Sequence, residues 1–339
     1  MTTTKKIIIA IVAVVAIYWV VSSQQKTTSE TDQVNQPASE EQVQMPEDVI
    51  ESVPVEDVTE GDNEQSITDS VDQKASSGVD KVKSEVKEVV EQVSAAQRAL
   101  ASAVAGSHRS EENKARDIYR HPVETLLFFG FEPTMTVVEI APGGGWYTEV
   151  LAPALKGRGK LYGAHYPDTD EENYYSLSRR RLVQKMASDE VFSEVELTNF
   201  TPRTSNRIAP EGSADMVLTF RNLHNWGEEG VAMMFADAHK ALKSGGILGV
   251  VEHRMPESQS WAENQRSGYF PESLAIELAE QAGFVLAGKS EINANPKDTA
   301  DHPKGVWTLP PVLRLGDADK AKYLAIGESD RMTLKFVKK

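Results

Sequence analysis

Val137-Val138-Glu139-Ile140-Ala141-Pro142-Gly143-Gly144-Gly145-Trp146-Tyr147-Thr148 holds the sharpest signal in this chain of 339 residues. Thr136 to Ile140 is an apolar, β-branched run with the length of a buried strand, and Thr148 to Leu155 has the spacing of a helix. Three consecutive glycines sit in the segment between them. In sheets of parallel strands, ligands bind outside the carboxyl ends of the strands. Glycines at that place let a ligand approach the backbone with no Cβ in the way. Glu139 narrows the choice of ligand. A pyrophosphate cradled by helix N–H groups wants no anion beside it, so an acid here suits a ligand with a cationic part.

Working outward, strands and helices alternate. Ser110 is an N-cap signal for a helix through Tyr119, and His121-Pro122 separates it from a second helix, Glu124 to Phe129. Beyond the glycines, strands are expected at Lys160 to Ala164, Val195 to Asn199, Asp215 to Phe220 and Ile247 to Glu252, then Phe284 to Ser290 and Met332 to Val337. Helices are expected at Glu171 to Met186, Glu229 to Leu242 and Pro271 to Ala282. This order implies an α/β fold: a doubly wound, mostly parallel sheet with helices on both faces. The final strand, with no helix after it, is expected to insert antiparallel at the C-terminal edge.

The block from Glu139 to Gly145 resembles the first motif of class I S-adenosylmethionine (SAM) dependent methyltransferases, with Ala141 where the first glycine usually stands. The wider string is similar to a bacterial family of such proteins that carries an E-x-x-P-G-G-G-W-Y motif. It includes His121-Pro122 through Phe129, Arg221-Asn222-Leu223-His224-Asn225-Trp226, Glu252-His253-Arg254, Asn295 to Asp298, Gly305 to Pro311 and Gly327 to Met332. The resemblance implies a Rossmann-like methyltransferase fold and SAM as cofactor. It places the methionine part of SAM at Glu139 and the backbone of Gly143, Gly144 and Gly145, with Pro142, Trp146, Tyr147 and Thr148 as further cofactor-binding residues. His165 stands where the family has an acid for the ribose hydroxyls. It can bond a diol but cannot offer a carboxylate's two acceptors; Asp168, three residues on, is the candidate substitute. Asn199, ending the third strand, is the candidate partner of the adenine edge.

The methyl acceptor is expected at the ends of the fourth and fifth strands. His224 is the candidate general base, since its ordinary pKa lies near neutrality. Asn222, Glu252 and His253 are the other candidates. The plainer readings are that His224 and Trp226 cap the strand and pack the loop, and that Glu252 pairs with Arg254. His224, Glu252 and His253 could also form a two-histidine, one-carboxylate triad, but residues on separate strand ends are not diagnostic and no metal is expected. Gly143-x-Gly145-x-x-Thr148 nearly fits a dinucleotide fingerprint, yet the ribose acid is missing and no second substrate domain follows.

Composition divides the rest. The chain has a formal charge of −15 and no cysteine, which excludes disulfides, thiolate catalysis and cysteine-ligated zinc. An acidic balance argues against a nucleic-acid partner. Lys5 and Lys6 precede an apolar run from Ile7 to Val21, so residues 1–23 read as a membrane anchor or a signal peptide. Residues 24–77 have the composition of a disordered acidic linker: no Lys or Arg occurs between Lys26 and Lys74, and no aromatic residue between Trp19 and Tyr119. Residues 78–104 carry a heptad seam, Val79, Val82, Val86, Val89, Val93, Ala96, Leu100 and Ala103. It suits either a short homodimeric coiled coil or a helix docked on the domain. Residues 105–339 form the methyltransferase-like domain. The positive-inside rule puts that domain on the periplasmic side of an inner membrane, or exports it; the cytoplasmic face is the alternative. The function expected is methyl transfer to an unknown acceptor, small molecule or otherwise. The alternative is a non-catalytic, envelope-associated ligand-binding protein that keeps the fold.

Overall fold

In this computed structural model, residue 88 and residues 90–339 are described. The apolar run, the acidic linker and the first half of the heptad seam lie outside them. Among the described residues no helix is long and apolar enough to cross a membrane.

The first helix, α1, covers 90–105. Ala96, Leu100 and Ala103 of the seam are buried in the same core as Leu126, Phe129, Val150 and Leu151. The docked alternative therefore holds for this stretch, and a domain boundary at residue 105 falls inside one packed body. Val90, at the other end of the helix, is half exposed.

Three short helices follow: α2 (Glu111–Lys114), α3 (Asp117–Arg120) and α4 (Pro122–Phe129). Ser110 caps α2 by accepting from the Asn113 N–H. His121 lies in the left-handed region and places Pro122 at the first position of α4, where a missing N–H costs nothing. Then come β1 (Thr136–Ile140), α5 (Thr148–Leu155), β2 (Lys160–His165), α6 (Tyr174–Ser188), β3 (Val195–Asn199) and β4 (Ala214–Phe220). The remainder is α7 (Gly227–Ala241), β5 (Leu242–Met255), α8 (Trp261–Asn264), β6 (Phe270–Pro271), α9 (Glu272–Gln281), β7 (Phe284–Ser290), α10 (Lys320–Ile326) and β8 (Arg331–Lys338).

The sheet runs β3-β2-β1-β4-β5-β8-β7, with β6 paired to β5. From β3 to β5 every pairing is parallel. β8 is antiparallel to both its neighbours. It enters one place inside the C-terminal edge, so β7 is outermost there. The central strands are buried on both faces, as helices on both sides require.

Helix α5 carries Pro153, which has no N–H for the Glu149 carbonyl one turn back. His108 Nε2 takes that place at 2.7 Å. Because a carbonyl only accepts, this nitrogen carries the proton. The N-terminal segment thus completes a helix that the sequence alone leaves defective.

Leu100→Ala should lower stability by about 2–5 kcal/mol in urea denaturation, since it empties a fully buried site. Val90→Ala should change it by less than about 0.5 kcal/mol. Equal, small effects of the two would show that α1 does not dock.

Candidate functional site

The registers fix what meets at the carboxyl end of the sheet. Ile140 faces Ala164 on one side and Thr219 on the other, His165 faces Asn199, and Phe220 faces Val251. Residues 141–145, His165, Asn199, 221–226 and 252–254 therefore emerge in neighbouring rows. Two of them, Ala141 and Arg221, are non-glycine residues in the left-handed region, with φ of 49° and 63°. Ala141 stands where the resemblance leads one to expect glycine, so the backbone bend is kept at a cost of about 1 kcal/mol.

The glycine loop is open on one side only. A Cβ added at Gly143 or Gly144 would meet nothing within 4 Å, whereas at Gly145 it would lie 2.6 Å from Leu182 Cδ1 of α6. Gly143 and Gly145 are left-handed; Gly144 is not. The first two glycines face space that a ligand could fill, and the third lets α6 close the loop from behind. Lys185 of α6 is paired with the buried Glu149, which also accepts from Asn113.

Beneath this loop lies Glu139, 2% exposed. Thr148 Oγ1 donates to it at 2.7 Å. Burial raises its pKa to about 7, against the opposing pull of Thr148, Arg221 and Lys185. The open space is in front of the loop, at Gly143 and Gly144. Trp146 and Tyr147 turn away from that space. Trp146 lies between Arg109 and Arg120, and its Nε1 donates to the Asn113 carbonyl. The Tyr147 ring stacks on Phe220 and its hydroxyl donates to the Arg120 carbonyl.

His165 is fully buried and its Nε2 sits 3.1 Å from the Gly143 carbonyl. Nε2 must then carry the proton, which leaves Nδ1 as a buried acceptor without a partner. Burial lowers the pKa of the ring. Asp168 is half exposed and paired with Arg180 at 2.9 Å, so it does not stand in for an acid at the end of β2. Asn199 is exposed at the end of β3. A cavity of about 380 Å³ opens beside these strand ends, with Tyr166, Tyr175, Arg203 and Trp226 in its lining. Tyr166 and Tyr175 were not legible as site residues, because single tyrosines in a polar segment carry no pattern.

Two strands away from β1, Glu252 is fully buried near the end of β5. It accepts from the Leu223 N–H at 2.5 Å, the His253 N–H at 2.7 Å and His224 Nδ1 at 2.9 Å. A carboxylate that accepts from Nδ1 fixes the tautomer and leaves His224 Nε2 as a free lone pair. Arg254 does not pair with Glu252. Its guanidinium goes to Asp330 at 2.8 Å and Glu291 at 2.9 Å. Asn222 donates to the Ile140 and Ala141 carbonyls and to Thr219, tying the loop after β4 to the loop after β1. It positions rather than faces a ligand. His253 Nδ1 lies 2.5 Å from Ser329 Oγ. Burial, then the charges of His224, Arg331, Arg221 and Arg120, hold its pKa well below normal. His224, Glu252 and His253 each bring one possible ligand atom within 4.8 Å of the others.

No family model matches the chain and no curated protein matches it in sequence. Several solved structures are similar to this chain. A SAM dependent methyltransferase from Aquifex aeolicus is 16% identical over 66% of this chain and 92% of its own, with a TM-score of 0.43. The cyclase SpnF is 13% identical over 69% and 85%, with a TM-score of 0.47. An arsenic (III) S-adenosylmethionine methyltransferase from Chlamydomonas reinhardtii is 13% identical over 60% and 63%, with a TM-score of 0.40. At these identities and TM-scores the likeness carries no argument about chemistry, which has to come from the site.

Glu139 gives the free protein a pH signature. Its folded pKa, about 7, exceeds the ordinary 4.5. The stability is fully present below pH 4.5 and declines as pH rises through 7, by a few kcal/mol, order of magnitude. Relative to Glu139→Gln, the wild type should lose stability between pH 5 and pH 8 in denaturant titrations. Parallel pH profiles for the two proteins would contradict the burial argument.

Proposed function

We propose that this chain is a SAM-dependent methyltransferase. The observation that carries the reading is the pairing of two units at the carboxyl ends of neighbouring strands: a buried Glu139 under the open Gly143–Gly144 backbone, and the Glu252–His224 dyad. The first fits a ligand that carries an ammonium and a sulfonium, and the buried acceptor His165 Nδ1 is a further group able to take a hydroxyl proton. Bound SAM would supply the methyl group.

The chain's own residues do the rest. Glu139 would hold the ammonium and be ionised by it, since a cation at contact favours the carboxylate. The Gly143–Gly145 backbone would flank the methionine part. His224 Nε2 would take the proton of the acceptor, and Glu252 would hold the ring in orientation and steady the imidazolium. Asn222 keeps the two loops in register, which matters because such a transfer depends mainly on alignment.

A second reading has its own observation. Asp168 is bound to Arg180, and His165 faces the glycine loop, so the end of β2 presents no carboxylate to a ribose. That favours a non-catalytic, envelope-associated protein that binds another cationic ligand. The tether belongs to either reading: the run Ile7 to Val21 behind Lys5 and Lys6 supports an inner-membrane anchor with the domain on the periplasmic side.

Titration calorimetry of the full chain with SAM and S-adenosylhomocysteine separates them. Micromolar binding is expected, with loss of at least tenfold in Gly144→Val. Gly144 has an ordinary φ and free space, so the valine should leave folding intact while filling the ligand's place. Absence of heat with both ligands would transfer the assignment to the second reading.

A further inference from the structure

Four arginines converge beside the His224–Glu252 dyad. Arg116, Arg120 and Arg331 all pair with one carboxylate, Glu328, the first two at 2.6 and 3.4 Å. Their charges hold Glu328 down to about 2 against the effect of burial. Arg221 receives no carboxylate of its own. Burial lowers its pKa to about 10, and Arg331 and Arg116 push it the same way. Glu139, the other acid it acts on, rises to about 7 regardless. Arg331 is 1% exposed and its Nε has no hydrogen-bond partner. Four guanidinium groups thus share one fully paired carboxylate, Glu328.

Its location tells what the excess is for. Arg221 is surrounded by protein yet keeps contact with solvent, as do Asn222 and His253 beside it. Arg221 is the member of the group that lacks a carboxylate and is still reached by solvent. Arg221 follows β4 directly, and its strained φ of 63° is held by its N–H on the Val251 carbonyl at 2.7 Å. A buried cation without a partner is costly, and guanidinium groups are suited to planar, two-point recognition of carboxylate and phosphate.

The same geometry disfavours a metal ion at His224, Glu252 and His253. Arg331, Arg221 and Arg120 all act on His253, and a divalent cation would be repelled there. Glu252 has its oxygens engaged by two N–H groups and His224. An anion is attracted by what repels the metal.

We propose that Arg221, with Arg120 and Arg331 behind it, binds an oxyanion of the methyl acceptor, so that the acceptor is a small molecule bearing a carboxylate or phosphate. This inference rests on the methyltransferase reading for the word acceptor, but the anion site can be tested without it.

The probe is inorganic phosphate, titrated into the full chain in low-chloride buffer, with and without saturating S-adenosylhomocysteine. Phosphate should bind in both conditions and at least tenfold more weakly in Arg221→Gln. Arg221→Lys, which keeps the charge and loses the fork, should fall between them and serves if the glutamine variant does not fold. S-Adenosylhomocysteine affinity should stay within twofold in Arg221→Lys, which keeps the charge that acts on Glu139. No phosphate binding, or binding indifferent to Arg221, overturns the proposal. So does a tenfold loss of S-adenosylhomocysteine affinity in Arg221→Lys with methylthioadenosine unaffected, because the cluster would then hold the cofactor's own carboxylate. Phosphate binding with no S-adenosylhomocysteine binding would sustain the anion site and remove the methyltransferase reading.

Discussion

A carboxylate buried at the carboxyl end of a parallel strand needs compensation, and this molecule compensates two of them in opposite ways. Glu252 receives three hydrogen bonds, two of them from backbone N–H groups, and so fixes the loop after β4 against the end of β5. Glu139 receives one, from Thr148, and remains a group that gains or loses a proton near neutrality. The first makes a rigid wall that aims His224; the second is a carboxyl group that a nearby positive charge would ionise. Everything proposed about the site depends on this difference.

Holding those strand ends in place falls largely to contacts between distant parts of the chain. Glu328 joins α2–α3 to the start of β8 through Arg116, Arg120 and Arg331. His108 completes α5, and α1 covers its flank with Ala96, Leu100 and Ala103. Residues from both ends of the described region thus meet around the cleft, and the helical segment before residue 105 is structural rather than an appendage.

The sheet was legible because its strands are short apolar runs between turn signals, and the alternation with helices left one topology class. The antiparallel β8 was legible as a strand, but its entry between β5 and β7 was not: pairing partners depend on long-range packing of Met332, Leu334 and Phe336, which no local pattern encodes. Glu139, the glycines and His224 stood out because strand ends concentrate polar groups in an otherwise apolar pattern. The Glu252–Arg254 pair failed because nearness in sequence says nothing about competing partners, here Asp330 and Glu291. Asp168 looked like a substitute ligand on spacing alone, until Arg180 took it. The arginine excess was invisible for the same reason, since its members are spread over more than two hundred residues of sequence and only the fold counts them against one Glu328.

The central claim is that Glu139 receives the cationic end of a ligand held on the glycine loop. The direct measurement is the affinity of S-adenosylhomocysteine for the full chain at pH 5.5 and pH 7.5. Because the ligand must displace a proton below the Glu139 pKa of about 7, binding should be at least tenfold weaker at the lower pH, and Glu139→Gln should bind weakly at both with the pH dependence gone. An affinity independent of pH in the wild type, or a pH dependence that survives in Glu139→Gln, would contradict the account.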